Sequence, residues 1–173
     1  MSWKTALAIA GATVIKPISP MPLGGSSMAT VRSRGSAYEN KGQYDRAIQD
    51  YDQAIRLDPK DATAWNSLCW ARAIAGQLEQ ALKDCNESLR LRPNNANTLD
   101  TRGLAYLKLG QFDNAITDYD AALKGDPKLA GSLHGRGIAK QKKGDSAGGD
   151  VNIAAAKAID AKIIETFAGY GVK

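Results

Sequence analysis

The sequence predicts an all-α protein built from repeated pairs of helices, and two observations carry this prediction. Glycine, proline and alanine each recur at intervals of 34 residues, at Gly42, Gly76, Gly110, Gly144, Pro59, Pro93, Pro127, Ala47, Ala81 and Ala115. Between these positions, apolar residues recur at the spacing of one helix face, and alternating valine-rich segments typical of strands are missing. A period of this length is typical of a helical solenoid, in which each unit packs on the next.

The interval 96–129 shows how one unit is built. Its first predicted helix carries apolar residues from Leu99 to Leu107, and Gly110 ends it, because glycine adopts the left-handed cap conformation without steric cost. The second helix runs from Phe112 to Leu123. It ends near Pro127, since proline lacks an amide hydrogen and disfavours helical geometry in the residue before it.

These residues resemble the tetratricopeptide repeat (TPR). The resemblance is carried by small residues, aromatic residues and a terminal proline, at Gly103, Ala115, Ala122, Tyr106, Phe112 and Pro127. Similar second helices read YDRAIQDYDQAIRLDP, LEQALKDCNESLRLRP and FDNAITDYDAALKGDP. The resemblance implies a right-handed superhelical solenoid of antiparallel helix pairs. It also implies that the first helices line a concave groove, the second helices form the convex back, and the protein binds another protein.

The period divides the chain into a leader, three clear units and a degenerate fourth unit with a C-terminal cap, over residues 1–27, 28–61, 62–95, 96–129 and 130–173. The fourth unit departs from the pattern at Ser146, Gly149 and Ala161. Two adjacent glycines, Gly148 and Gly149, predict a frayed start to its second helix, at about 1 kcal/mol each. Residues 161–167 are expected to form a capping helix, because a repeat stack must cover its last apolar face.

The leader does not determine the cellular compartment of the protein. Lys4 precedes a mostly apolar stretch from Thr5 to Ile15, which resembles the start of a secretory signal. The small residues Ser27 and Ala29 offer a cleavage site well downstream, behind several prolines and glycines. The alternatives are a disordered leader, or a true start at Met21 or Met28. We place the protein in the cytoplasm or, if residues 1–29 are a signal peptide, in the periplasm or outside the cell.

The distribution of charge argues against nucleic acid as a partner. The net charge is +5, but residues 28–129 hold fourteen basic and fourteen acidic residues, so the excess lies at the ends of the chain. A neutral middle offers no basic patch for a phosphate backbone. No stretch of the sequence approaches the ~20 apolar residues of an integral membrane segment.

No catalytic, cofactor or metal site is predicted, and the protein is not expected to be an enzyme. His134 is the only histidine and is expected to be partly exposed. Carboxylates such as Asp50 and Asp118 are expected on solvated helix faces. Cys69 and Cys85 lack CxxC spacing but lie nearly symmetrically about a predicted turn, so they should face each other. They are buried thiols in a reducing compartment, or a disulfide in an exported protein.

The resemblance to TPR proteins assigns two rows of groove residues by position. A polar row holds Arg32, Asn66, Asp100 and His134, and an apolar row holds Trp70, Leu104 and Ile138, with Ser36 at the equivalent place in the first unit. Trp70 has the character of an interface anchor. Two other interpretations of Trp70 are a cover provided by the leader, or packing on Ile74. Trp65 belongs to a neighbouring row that is predicted to be packing.

One subset of TPR proteins binds the carboxylate end of chaperone peptides through lysine, asparagine and arginine side chains. Here Arg32 replaces the first lysine, but the four remaining places hold Ser36, Ser67, Asn97 and Thr101. A terminal carboxylate would lack its charge-assisted hydrogen bonds, so this mode is not predicted. The sequence predicts a non-catalytic scaffold that binds a protein or peptide partner. The alternatives are an exported factor in envelope assembly or secretion, and a structural homo-oligomer.

Overall fold

The computed structural model describes residues 27–172, and within that range it contains nine α-helices and no strand. The helices are α1 (Met28–Glu39), α2 (Tyr44–Leu57), α3 (Ala62–Ile74), α4 (Leu78–Leu91), α5 (Ala96–Lys108), α6 (Phe112–Gly125), α7 (Ala130–Lys142), α8 (Ser146–Ile159) and α9 (Ile163–Gly169). The first eight form four antiparallel pairs, stacked as a right-handed superhelical solenoid, which confirms the predicted fold class. Of the predicted leader, only Ser27 lies within the described residues, where it caps α1.

The four periodic glycines end the first helix of each pair. Gly42, Gly76, Gly110 and Gly144 have φ angles of 69°, 83°, 73° and 93°. Residues with a side chain rarely adopt this left-handed region. The predicted role of these glycines is therefore confirmed. None of the helices in residues 27–172 combines the length and the apolar character that crossing a bilayer requires.

A second periodic set fixes how closely the two helices of a pair approach. A Cβ atom added at Gly103 would lie 2.8 Å from the ring of Tyr119, and one added at Gly35 would lie 2.8 Å from the ring of Tyr51. Both tyrosines are almost fully buried. A glycine on the first helix therefore makes room for a tyrosine on the second.

In the second pair, two cysteines occupy these same two positions. Cys69 and Cys85 form a disulfide between α3 and α4, with their Cα atoms 5.3 Å apart, and both are fully buried. The covalent bond thus lies where the neighbouring pairs have a glycine–tyrosine contact. Of the two predicted alternatives, thiols or a disulfide, the structure contains the disulfide.

The two buried tyrosines differ in their hydrogen bonds, which gives a testable prediction. Tyr51 Oη donates to Glu39 Oε2 at 2.7 Å, whereas Tyr119 Oη is buried and has no hydrogen-bond partner in the described part of the chain. Replacing Tyr51 with phenylalanine is expected to lower the free energy of unfolding by about 1–2 kcal/mol, because a hydrogen bond to a charged group is lost. Tyr119→Phe is expected to be neutral or stabilising by up to about 1–2 kcal/mol, because an unpaired buried hydroxyl is removed. Urea denaturation of both variants tests this, and equal losses of stability would contradict it.

Two carboxylates predicted to be solvated are instead buried in ion pairs. Asp50 accepts from Arg34, with Nη2 and Oδ1 2.6 Å apart, and Asp118 accepts from Arg102, with Nε and Oδ2 2.7 Å apart. The prediction was wrong because each arginine lies sixteen residues earlier, on the other helix of the pair. Only the tertiary fold brings it opposite the acid, where it compensates the buried charge.

Three first-helix arginines connect one pair to the pair before it, and the first of them, Arg72, donates through Nη2 to Asp52 on α2 at 3.1 Å. Arg102 Nη1 donates to Asn86 on α4 at 2.7 Å, and Arg136 Nη1 donates to Asp120 on α6 at 2.6 Å. Since each unit of a solenoid contacts only its neighbours, these bonds contribute directly to the interfaces that hold the stack together.

The fourth pair is regular where fraying was predicted. Helix α8 begins at Ser146, and Asp145 Oδ1 accepts a hydrogen bond from the Gly148 amide at 2.9 Å. A Cβ atom at Gly149 would lie 2.7 Å from the Gly137 carbonyl oxygen, so the glycine permits a close approach of α7 and α8. The expected fraying was wrong because capping and packing offset the low helix propensity of glycine. The predicted capping helix is present as α9.

Candidate partner-binding groove

The first helices of the four pairs, α1, α3, α5 and α7, pack side by side and line the concave face. Because the pairs repeat at a constant interval, residues at equivalent positions lie in rows along this face. The two predicted rows therefore run across it, as Arg32, Asn66, Asp100 and His134, and as Trp70, Leu104 and Ile138. The C-terminal helix α9 changes how accessible these rows are.

Helix α9 occupies the C-terminal half of the groove. The Phe167 ring meets the His134 ring edge to face, with centroids 4.7 Å apart, and the Tyr170 ring meets the Trp70 ring at 5.0 Å and 88°. Ile163 and Phe167 are each 4% exposed. The chain thus places three of its own apolar side chains against the concave face.

The contacts with Tyr170 and Phe167 determine how much of Trp70 and His134 is exposed. Trp70 is half-buried and is covered on one side by Tyr170, not by Ile74 alone as one interpretation held. The other interpretation involved the leader, which lies outside the described residues apart from Ser27. His134 is 4% exposed, so its predicted partial exposure was wrong. Burial and the nearby Lys157 lower the pKa of His134.

Of the other two apolar groove residues, one is part of the core. Leu104 is 2% exposed and packs in the cluster that contains Tyr119 and Leu133. Ile138 is half-buried at the edge of the same cluster. Trp70 and Ile138 are therefore the two members of the row with surface left for a partner.

The polar row differs from one residue to the next in how its hydrogen bonds are satisfied. Arg32 Nη1 donates to Asp61 Oδ2 at 2.7 Å, which links α1 to the start of α3. Asp100 Oδ1 accepts from Ser132 Oγ at 2.5 Å. Asn66 Oδ1 is buried and has no hydrogen-bond partner within residues 27–172. His134 Nδ1 is unpaired in the same way within the described residues. A buried polar atom without a partner costs free energy, and Asn66 and His134 are the two members of this row that carry this cost.

Several cavities open beside the rows, and two of them adjoin the polar row. A polar pocket of about 80 Å³ lies between the second and third pairs, and its lining includes Asn66, Arg92, Asn95 and Asn97. A larger cavity of about 240 Å³, which we call the α9 cavity, lies between α9 and the concave face. Its lining includes Trp70, Asp100, Asp160, Phe167 and Tyr170.

Asp100 has an unusual environment within the α9 cavity. Burial raises the pKa of Asp100 to about 6, although the hydrogen bond from Ser132 opposes the shift. The carboxylate is thus ionised at neutral pH at a free-energy cost. Within residues 27–172, no group of three or more His, Cys, Asp or Glu side chains is arranged to hold a metal ion.

The contribution of Tyr170 to the groove was not predicted. Ile163, Phe167 and Tyr170 are spaced by four and three residues, which is the spacing of a single helix face. This spacing was the signal in the sequence for an additional amphipathic helix. It shows that a helix follows the fourth unit, but it does not show which surface that helix covers.

Two family models match the chain. One, described as tetratricopeptide repeat, matches residues 32–96, and the other, described as TPR repeat, matches residues 103–144. Together they span more than half of the sequence. The chain belongs to the tetratricopeptide-repeat family. No match is found among curated proteins.

Solved TPR structures share the fold of this chain. A thermophilic TPR protein of Thermus thermophilus, TTC0263, is 17% identical with a TM-score of 0.73, and the match covers 84% of each chain. A crystal structure of MamA is 22% identical with a TM-score of 0.68, covering 80% of this chain and 81% of that one. The first TPR of Spaghetti (RPAP3), bound to the HSP90 peptide SRMEEVD, is 22% identical with a TM-score of 0.65, covering 68% and 94%. Identities this low show likeness of fold alone.

Proposed function

We propose that this TPR protein is a non-catalytic scaffold that binds an extended or helical segment of a partner protein in its concave groove. The observation that carries the proposal is the Asn66 acceptor. It has no partner among the residues that the structure describes, and it is buried beside the groove, one helical turn from the half-buried Trp70. The four units predicted over residues 28–61, 62–95, 96–129 and 130–173 are the repeats that build this surface. Nucleic acid is not proposed as a partner.

The contacts of α9 support a groove that accepts a peptide segment. A single short helix of this chain already rests there through Ile163, Phe167 and Tyr170. In the N-terminal half of the groove, formed by α1 and α3, the C-terminal segment reaches Trp70 through the Tyr170 ring. A partner segment in that half would meet the exposed Ser36, the remaining surface of Trp70 and the unpaired Asn66. A backbone amide of the partner would supply the donor that Asn66 lacks.

The two rows have different roles in this proposal. Trp70 and Ile138 supply apolar contact area, and Arg32, Asn66 and Asp100 orient the partner through polar contacts. Leu104 and His134 are buried beneath other groups, so they contact a partner only when α9 leaves the groove.

A chaperone-type carboxylate site is not part of the proposal. Arg32, the one basic residue at a matching position, is already paired with Asp61. Thr101, where an arginine is expected, donates its hydroxyl to the Asn97 carbonyl at 2.9 Å. An acidic peptide end such as that of SRMEEVD would therefore find no free cation at these two places.

Trp70→Ala is expected to reduce retention of the partner by at least about tenfold, because a buried aromatic anchor contributes about 2 kcal/mol or more to an interface. Wild-type and variant proteins are used as baits in native lysate, and retained proteins are quantified by mass spectrometry. Trp65→Ala serves as the matched control, because Trp65 lies on the same helix but packs with the first pair and donates to the Pro59 carbonyl. Circular dichroism checks that both variants fold. Equal retention by wild-type and Trp70→Ala baits would place the functional surface elsewhere.

A second candidate function is that of an exported TPR factor in envelope assembly or secretion. The disulfide between Cys69 and Cys85 favours it, because disulfides persist mainly in oxidising compartments. N-terminal sequencing of the mature protein distinguishes the candidates. A mature start near Ala29 supports export with cleavage of the leader, and a start at Met1 contradicts it.

A further inference from the structure

Asp100 differs from the buried aspartates of the described residues. Asp50, Asp84 and Asp118 are buried and each has an arginine partner, in the pairs Asp50–Arg34, Asp84–Arg72 and Asp118–Arg102. The hydrogen bond of Asp100 within the described residues comes from the neutral hydroxyl of Ser132. A partly buried carboxylate without a cation costs free energy, which a positively charged partner would offset.

The α9 cavity places this carboxylate in a site suited to a cation. Asp100 and Asp160 contribute two negative charges, and no lysine, arginine or histidine is among the lining residues. Three aromatic rings complete the walls. The Trp70 and Tyr170 rings stand almost perpendicular, at 88°, with Phe167 beside them at 5.7 Å from Tyr170. Aromatic faces attract cations through the negative potential above the ring.

The size and opening of the cavity restrict what it holds. Its volume of about 240 Å³ is roughly that of eight water molecules at ~30 Å³ each, which suits one side chain and excludes a whole helix. Gly131 lies at the edge of the cavity and leaves the Asp100 carboxylate accessible. A Cβ atom added at Gly131 would lie 3.4 Å from both carboxylate oxygens. A larger side chain there would fill the approach to the carboxylate.

We propose that the α9 cavity binds one cationic side chain, lysine or arginine, of the partner segment held in the groove. This inference rests on the proposed function and gives the partner a chemistry, a basic residue flanked by apolar contacts. Local charge supports it, because Asp100 and Asp160 make this cavity acidic in a protein whose net charge is +5. Opposite charge gives specificity and suppresses wrong partners.

The test uses three peptides that differ at one position: acetyl-Ala-Ala-Lys-Ala-Ala-amide and its arginine and norleucine analogues. Each is titrated into the full-length protein at about pH 7.5, above the pKa of Asp100, while the indole N–H signal of Trp70 is followed by NMR. Lysine and arginine peptides are expected to shift this signal saturably. The norleucine peptide, which has a similar apolar stem but no charge, is expected to bind at least about tenfold more weakly.

Two variants separate the role of the carboxylate from general charge. Asp100→Asn keeps the size of the side chain and the acceptor for Ser132, and it is expected to weaken lysine-peptide binding by at least about tenfold. Asp45→Asn removes the same charge from an exposed position in the first turn of α2, and it is expected to leave binding unchanged. Because Asp100→Asn also removes an uncompensated charge, the variant is expected to fold at least as well as the wild type.

Three outcomes would overturn the inference: equal binding of the norleucine and lysine peptides, equal lysine binding by Asp100→Asn and wild-type protein, and no binding of any peptide. The failure of the proposed function has a different signature. If the Trp70→Ala bait loses the partner from lysate while the Asp100→Asn bait retains it fully, partner binding in the groove is supported and the cation site is contradicted. If the Trp70→Ala bait retains the partner, partner binding in the groove is contradicted, independently of the results of the peptide titrations.

Discussion

Replacing Phe167 with alanine is expected to release α9 from the concave groove. The side chain is 4% exposed and contacts the ring of His134, and truncation of a buried phenylalanine typically costs about 3–5 kcal/mol. Helix α9 has only seven residues, too few to be stable without tertiary contacts. Loss of its largest buried contact should therefore shift residues 163–172 to an undocked, largely unfolded state.

Hydrogen exchange monitored by mass spectrometry measures this release directly. Amides in residues 163–172 are expected to exchange at least about a hundredfold faster in Phe167→Ala, while α1–α4 keep their protection, since distant units of a solenoid respond weakly. Ile164→Ala is the matched control, because Ile164 lies on the same helix with 42% of its surface exposed. Unchanged protection of α9 in Phe167→Ala would show that Phe167 does not hold this helix in the groove.

The same variant connects to the proposed cation site. Phe167 and Tyr170 form part of its aromatic wall and both belong to the C-terminal segment. Release of α9 should therefore abolish binding of the lysine peptide, even though Asp100 remains. Exposure of Leu104 and His134 would follow, which creates an open apolar groove in place of a side-chain pocket.

Reduction of the disulfide between Cys69 and Cys85 is expected to lower the free energy of unfolding by about 3 kcal/mol. The two cysteines are 16 residues apart, and closing a loop of this length removes about that much conformational freedom from the unfolded chain. The reduced thiols would also lie where the first and third pairs have a glycine against a tyrosine ring. Urea denaturation with and without a thiol reductant measures the difference.

A double variant separates the covalent bond from its surroundings. Cys69→Gly combined with Cys85→Tyr installs the glycine–tyrosine contact that Gly35 and Tyr51 make in the first pair. This variant is expected to be insensitive to reductant and more stable than the reduced wild-type protein. If reductant changes the wild type and the double variant equally, the disulfide is not the source of the effect.

Much of the fold was predictable because repetition makes local signals mutually consistent. Each first helix ends at a glycine, and a proline lies near the end of each of the first three second helices, so the turns recur at fixed positions. The positive φ angles of Gly42, Gly76, Gly110 and Gly144 are those expected of glycine at a helix end. The groove rows stay a prediction that rests on the same reasoning, since equivalent positions in stacked units lie in line. Gly148 and Gly149 misled the prediction because intrinsic propensity is a weak guide where tertiary packing is close.

The candidate site was less predictable because its properties depend on contacts between distant segments. The solvation of Asp50 and Asp118 was predicted wrongly, since their arginines lie on another helix. His134 was expected to be partly exposed, and Phe167 covers it from 33 residues further along the chain. Asp100 has no cationic partner within residues 27–172, and this became visible only in the tertiary structure.

By itself, the sequence determined the architecture: the helix pairs of the clear units and the turns between them. These follow from chain geometry, which acts over a few residues and repeats every 34. Only the tertiary structure decided which groove residues stay accessible, where the buried charges find partners, and that α9 rests against Trp70. Burial and charge compensation depend on every group that comes within contact distance, and such contacts join residues that are far apart along the chain.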